Sequence, residues 1–220
     1  MHAKTITKLA LAAIAVALTA SLAVILNSHP AGSTRTEVKA FAGVKLSGIR
    51  WVAYQQYLLP ESVTAGPRDT AGGFASGFSD TPLGALLAAL NIAPRSSWQF
   101  GPAVFQPVIE DQVTGQYQAD LTVSDVQSWD AAGQQVPQYS TYARWIGFTG
   151  QSYTPRAATV NAVEGARTGT TVIDIATRMQ LRWIDGDWKL VAPPGGNWDN
   201  ASTQVTSLTG YTLFPGQGRS

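Results

Sequence analysis

Along residues 171–184 the chain alternates: Ile173, Ile175, Met179, Leu181 and Trp183 share one parity, while Asp174, Arg178, Gln180 and Arg182 share the other. Side chains of a strand point to opposite faces with a period of two, so the pattern predicts one buried face and one wet face. The run ends at Asp185-Gly186, a dipeptide suited to a two-residue type I′ hairpin because both central positions need positive φ. Such a turn sets the register. Ile184 falls opposite Asp187, Trp183 opposite Trp188 and Leu181 opposite Leu190, so the apolar parities of both strands meet on one face. Trp183, Asp185, Gly186 and Trp188 are therefore read as a hairpin clamp. Its cost is Arg182 opposite Lys189, tolerable where that face is hydrated or carries a carboxylate.

The other strong constraint is at the N-terminus. Residues 9–26 (LALAAIAVALTASLAVIL) run eighteen positions without a charge, close to the length a helix needs to cross the hydrocarbon layer. Lys4 and Lys8 precede the run, and basic flanks tend to stay in the cytoplasm, which predicts an inside N-terminus and an outside domain. A cleaved secretory signal is the competing reading. Its apolar core is usually shorter, and here the best small-x-small match, Ser21-Leu22-Ala23, lies within the run itself. The residues then divide into a tail and single-span anchor (1–27), a linker of mixed Pro, Gly, Ser and charge (28–48), an extracytoplasmic domain (49–201) and a C-terminal tail (202–220). In that tail Tyr211, Leu213 and Phe214 are the residues able to tie it to the domain.

Between linker and hairpin, IRWVAYQQYLLP reads as one entering strand that stops at Pro60. A glycine-rich stretch, TAGPRDTAGGFASGFSD, follows and reads as close turns. Asp80 or Thr81 can cap a helix with Pro82 in its first turn that continues to Pro94. Helices are also predicted over 103–113 and over 121–132, the latter from Val123, Val126 and Trp129 at threefold spacing. After Pro137 come four strand-like runs: YSTYARWIGFTGQSYT, AATVNAVEGA, TTVIDIATRMQLRWI and DWKLVAP. Helices first and strands afterwards predict an α+β domain with helices packed on an antiparallel sheet.

The close WIDGDWKLV (183–191) resembles the end of the cone-shaped, cystatin-like α+β fold named after nuclear transport factor two. That resemblance implies helices packed into a strongly curved sheet. GFSDTPLGALLAALNIAPR (77–95), GPAVFQP (101–107) and VAPPGGNW (191–198) resemble a family of actinobacterial membrane-anchored proteins associated with conjugative elements. No catalytic residue is implied by it. The architecture of a short inner tail, one span and an outer cone also resembles the bitopic assembly factors of type IV secretion, such as the conjugation protein TcpC.

Several chemistries are excluded or disfavoured by composition. There is no cysteine, and the two histidines, His2 and His29, flank the apolar run. Thiolate chemistry is thereby excluded, and the domain has no histidine for a Ser-His-Asp triad, a general base or a His-carboxylate zinc site. Lys and Arg total 15 against 14 Asp and Glu, and removing Lys4 and Lys8 leaves 13 against 14. Near-neutrality argues against a nucleic-acid partner, which would call for a basic face. Glu110 and Asp111, adjacent on a helix, diverge too far to share a substrate and read as a solvated helix end. Asp185 and Asp187 supply fewer oxygens than calcium takes and read as turn residues. No cofactor or metal is predicted.

Pro193, Pro194, Gly195 and Gly196 stop the last strand and return the chain sharply, with Trp198 either folded back as a lid or exposed as an interaction anchor. The leading expectation is a non-enzymatic, membrane-anchored assembly component of a cell-envelope machine, conjugation or type IV secretion, whose partners are other envelope proteins or further copies of itself. The alternative is a small-molecule binder or enzyme using the concave face of the sheet, with Asp174 and Tyr142 as polar groups to examine. It requires an open cavity with convergent Asp, Tyr or Arg groups, and a cone filled by Trp183, Trp188, Leu181 and Leu190 counts against it.

Overall fold

A computed structural model describes residues 41–137, 143–168 and 171–217. The apolar run at 9–26, most of the stretch read as linker, and Tyr142 lie outside the described residues. Among the described residues no helix is long and apolar enough to cross a membrane.

The fold is α+β, with three helices packed on a strongly curled sheet. The strands are β1 (Ile49–Tyr54), β2 (Tyr57–Ser62), β3 (Val113–Thr114), β4 (Ala143–Thr154), β5 (Ala157–Thr168), β6 (Thr171–Ile184), β7 (Asp187–Val191), β8 (Ser202–Val205) and β9 (Thr212–Leu213). They run in the order β1-β2-β4-β5-β6-β7-β3, with β8 added beside β6 and β9 beside β4. The long central pairs are antiparallel, whereas β2–β4 and β3–β7 are short parallel pairs at the margins. β4 carries register shifts between Trp145 and Gly147 and between Gly150 and Ser152. Bulges of this kind bend a strand and increase its twist, which is how a sheet of long strands closes around helices.

The helices are α1 (Pro82–Arg95), α2 (Pro102–Gln112) and α3 (Gln118–Ala131). Thr81 caps α1, its Oγ1 accepting the Gly84 N–H at 3.1 Å, and Pro82 occupies the first turn, where its missing N–H costs nothing. Every residue from Gly84 to Arg95 is buried. A helix apolar on all sides can only be central. Leu86, Leu87, Leu90 and Ile92 accordingly pack with Val160, Ala162, Met179, Leu181, Trp188 and Leu190 from the concave face.

The hairpin has the register that the Asp185-Gly186 turn dictates: Ile184 faces Asp187, Trp183 faces Trp188, and Leu181 faces Leu190. Asp185 and Gly186 both take positive φ, 52° and 84°. The indoles of Trp183 and Trp188 meet edge to face with centroids 5.3 Å apart. On the other face, Lys189 is relieved by the Asp111 carbonyl, which accepts from Nζ at 2.7 Å. The turn also organises the glycine-rich segment. The Asp187 carboxylate accepts the N–H groups of Gly77 and Phe78 at 2.7 and 3.1 Å, and Trp188 Nε1 donates to the Ser79 carbonyl at 2.9 Å.

Four expectations need correction. IRWVAYQQYLLP is a hairpin, β1 and β2, rather than one strand: Gln55 adopts φ 48° at the turn and Trp51 faces Pro60. Of the apolar residues spaced by three on α3, Val126 and Trp129 pack against the core beside the buried Leu121 and Asp125, whereas Val123 is 56% exposed and lies outside that face. Asp174 is buried, not wet. The convex face is covered there by the C-terminal segment, in which Val205, Leu208 and Tyr211 pack over Ile146, Val163 and Ala176. Phe41, inside the stretch read as linker, is buried against Phe148 and Tyr153, and its ring occupies the space above Gly150. The C-terminal tail is bound through Phe214, which stacks on Phe148 at 5.3 Å, whereas Leu213 is half-exposed.

Candidate functional site

After β7 the chain makes two short turns, Pro194–Gly196 and Trp198–Ala201, and rejoins the sheet as β8 beside β6. The detour has a reason in the glycines. Gly196 sits at φ 65°, and a β-carbon there would collide with the backbone of Asp120 and Leu121 in the first turn of α3, so that no side chain fits. The loop is thereby seated across the end of the curled sheet. Trp198 packs on the core cluster from that position, half-buried, as a side wall rather than a free anchor.

Beneath it lies a cavity of about 370 Å³. Its walls come from five parts of the fold: Tyr57 on β2; Ala93 and Pro94 at the end of α1 with Trp98 and Gln99 after it; Leu121, Ser124, Asp125 and Ser128 on α3; Trp145, Glu164 and Thr177 on β4, β5 and β6; and Gly196 to Asp199 in the returning loop. The hairpin clamp is not part of it. Trp188, Leu181 and Leu190 fill the other end of the concave face, so that face is packed at one end and hollow at the other.

Two carboxyl groups enter the cavity wall from buried positions. Asp125 is 6% exposed; its Oδ1 accepts the Trp98 N–H at 2.8 Å, and its Oδ2 is buried without a hydrogen-bond partner. Burial pushes its carboxyl up to about 7, against the opposing pull of the Trp98 N–H. Glu164 is 7% exposed and faces Trp145 across β4 and β5. Burial pushes it also to about 7, the Tyr57 hydroxyl, which donates to it, acting in the opposite sense. Asp199, at the rim, is raised by partial burial. The Trp198 Nε1 is a buried donor with no partner. By contrast Trp145 Nε1 is committed to the Leu90 carbonyl at 3.0 Å.

An acid that titrates near neutrality in a cavity can hold a cation, donate or accept a hydrogen bond, or exchange a proton. No group of three or more His, Asp or Glu that could hold a metal occurs among the described residues. Glu110 and Asp111 are exposed at the end of α2, and the Asp185-Gly186-Asp187 turn serves the backbone bonds described above. Pro193 and Pro194 line a second groove, of about 790 Å³, with Arg178, Arg182 and Asn200. Asp174 lies on the convex side, away from the cavity. Of the residues singled out in the sequence, Gly196 and Trp198 border the cavity; Asp125, Glu164, Tyr57, Trp98 and Trp145 were missed.

The fold and site define an α+β domain with a half-filled concave face and an acidic, aromatic cavity. The chain belongs to the family described as "Domain of unknown function (DUF8175)", which matches residues 19–213. No curated protein and no solved structure matches it.

Proposed function

We propose that the domain binds a small organic molecule in the cavity between α3, the curled sheet and the loop 193–201. The observation that carries this reading is the pair of buried carboxyls, Asp125 and Glu164, on the wall of a cavity of about 370 Å³. Ligand sites are concave, largely apolar and supplied with a few fixed polar groups, and their volumes run from about 300 to 1,000 Å³. A domain stabilised only by packing has no use for a carboxylate oxygen left buried without a partner, because the desolvation goes uncompensated. In this reading the protein is a binder rather than an enzyme. The three helices on a curled sheet support kinship with the nuclear-transport-factor-two-like cone, and residues 9–26 support a membrane tether with the domain outside.

The test is ligand-observed NMR screening of a chemically diverse fragment set against the protein and against Ser124→Trp, which places an indole in the cavity. Fragments that bind the protein saturably and are lost in a folded Ser124→Trp variant support the reading. A set in which nothing binds, or in which binding is indifferent to the indole, removes it.

A second reading, a component of a conjugation or type IV secretion assembly in contact with other envelope proteins, rests on residues 9–26 and on the lack of histidine and cysteine beyond His29. The two are compatible if the ligand is the signal or building block that the envelope machine responds to.

A further inference from the structure

The residues lining the cavity say what kind of molecule it takes. They include three carboxyl groups, Asp125, Glu164 and Asp199, and no lysine, arginine or histidine. They also include four aromatic side chains, Tyr57, Trp98, Trp145 and Trp198. Arg95, at the end of the helix that gives Ala93 and Pro94 to the wall, is turned elsewhere: its Nη1 donates to Asn91 O and Oδ1 at 3.1 and 2.7 Å, and its guanidinium lies 4.3 Å from the centre of the Tyr54 ring. The fold therefore lines this space with carboxyl groups and aromatic side chains and with no cationic one.

Building on the binding reading above, we propose that the cavity receives an organic cation, an amine or quaternary ammonium group placed among the aromatic walls and balanced by Asp125 and Glu164. Aromatic cages with nearby carboxylates recognise such cations because the ring quadrupole attracts a charge whose hydration shell is weak. Small metal ions are poorly served by contrast: they demand several oxygens in a fixed shell, and two buried carboxylates with indoles around them do not supply it. The unpartnered Trp198 Nε1 adds a further specification. A donor buried without a partner calls for an acceptor, so the ligand carries an oxygen, a hydroxyl, ether or carbonyl, near its cationic centre.

The buried Oδ2 of Asp125 supports the same conclusion independently of the aromatic walls, since it is the group with most to gain from a positively charged neighbour. The other ionisable groups that line the cavity are Glu164 from β5, Asp199 from the returning loop and the Tyr57 hydroxyl from β2. None of them can compensate an ionised Asp125.

Isothermal titration at pH 8 of the full-length chain in mild detergent tests this with two cations, choline and benzyltrimethylammonium, and with 3,3-dimethylbutan-1-ol, the neutral isostere of choline. The expected result is saturable binding of at least one cation, with choline at least about tenfold tighter than the alcohol. Asp125→Asn and Glu164→Gln each keep their shape and should weaken the cations about tenfold while leaving the alcohol unchanged. Trp198→Phe should weaken both cations through the lost indole face, and choline more than benzyltrimethylammonium because only choline carries a hydroxyl for the Trp198 Nε1. If the alcohol binds as tightly as choline, or the carboxamide variants bind cations undiminished, the cation inference is overturned and the cavity remains a site for neutral ligands. Neither cation binding at pH 8 also overturns it, and the fragment screen against Ser124→Trp then decides separately whether the cavity binds anything.

Discussion

Glu164 accepts a hydrogen bond from the hydroxyl of Tyr57, joining the middle of β5 to the start of β2 across the cavity wall. The donor favours the ionised carboxylate, so its loss is felt most where Glu164 is charged. Tyr57→Phe should therefore destabilise the protein by about 1 kcal/mol or more at pH 8 and by less at pH 5. Chemical denaturation at the two pH values gives the comparison. Equal losses at both would mean that the hydroxyl serves only as packing.

The pH dependence of stability follows from the same groups. Asp125 and Glu164 both have folded values near 7, above their ordinary carboxylate values. Between those ordinary values and about 7 the folded chain holds protons that the unfolded chain has released, so unfolding becomes easier as pH rises through this window and levels off above it. Burying both charges fully would cost roughly 3–4 kcal/mol each, an upper bound because a hydrated cavity lessens it. The empty protein should unfold several degrees lower at pH 8 than at pH 5.5, and Asp125→Asn with Glu164→Gln together should flatten the slope. A melting temperature that rises over this range in the empty protein would contradict the assignment.

Two glycines with positive φ separate backbone strain from crowding. Gly186 at the hairpin has open space around its missing β-carbon, whereas Gly196 is pressed on Asp120 and Leu121. Gly186→Ala should cost about 1 kcal/mol from φ alone. Gly196→Ala should cost about 2–3 kcal/mol more by pushing the loop off α3, and should disturb ligand binding as well. Similar melting temperatures for the two variants would mean that the loop is not seated on the helix.

How much of this could be read in the sequence depends on whether a residue's role was local. The hairpin is local: parity and an Asp-Gly dipeptide determine its register without reference to the rest of the chain. The same holds for the capped start of α1 at Thr81. The β1–β2 turn was invisible because Gln55-Gln56 is not turn chemistry, and tertiary pairing with β4 holds it there. Asp174 was misplaced because its burial depends on residues far along the chain that return to cover it. The site itself left a faint signal. Glu164 shares parity with Val160 and Ala162, and Asp125 lies one helical turn from Leu121, so each is a carboxylate on an apolar face. Such a residue is a local inconsistency, and local inconsistencies collect at functional sites.

The tether is testable apart from the site. Protease added to intact protoplasts should digest the domain if residues 9–26 span the membrane with the N-terminus inside. Replacing the run with a cleavable export signal should leave ligand binding intact, because the residues lining the cavity lie between Tyr57 and Asp199. It should reduce any phenotype that depends on local concentration at a membrane complex. A released domain that fully restores such a phenotype would argue against the assembly reading.

Carboxyl-carbon NMR titration of Asp125 and Glu164, first in the empty protein and then with saturating choline, is the decisive experiment on the cavity. Midpoints should lie near 7 in the empty protein and fall on loading, as the cation stabilises the ionised forms and protons are released. Midpoints at ordinary carboxylate values in the empty protein, or midpoints that choline does not move, would contradict the proposed cation site.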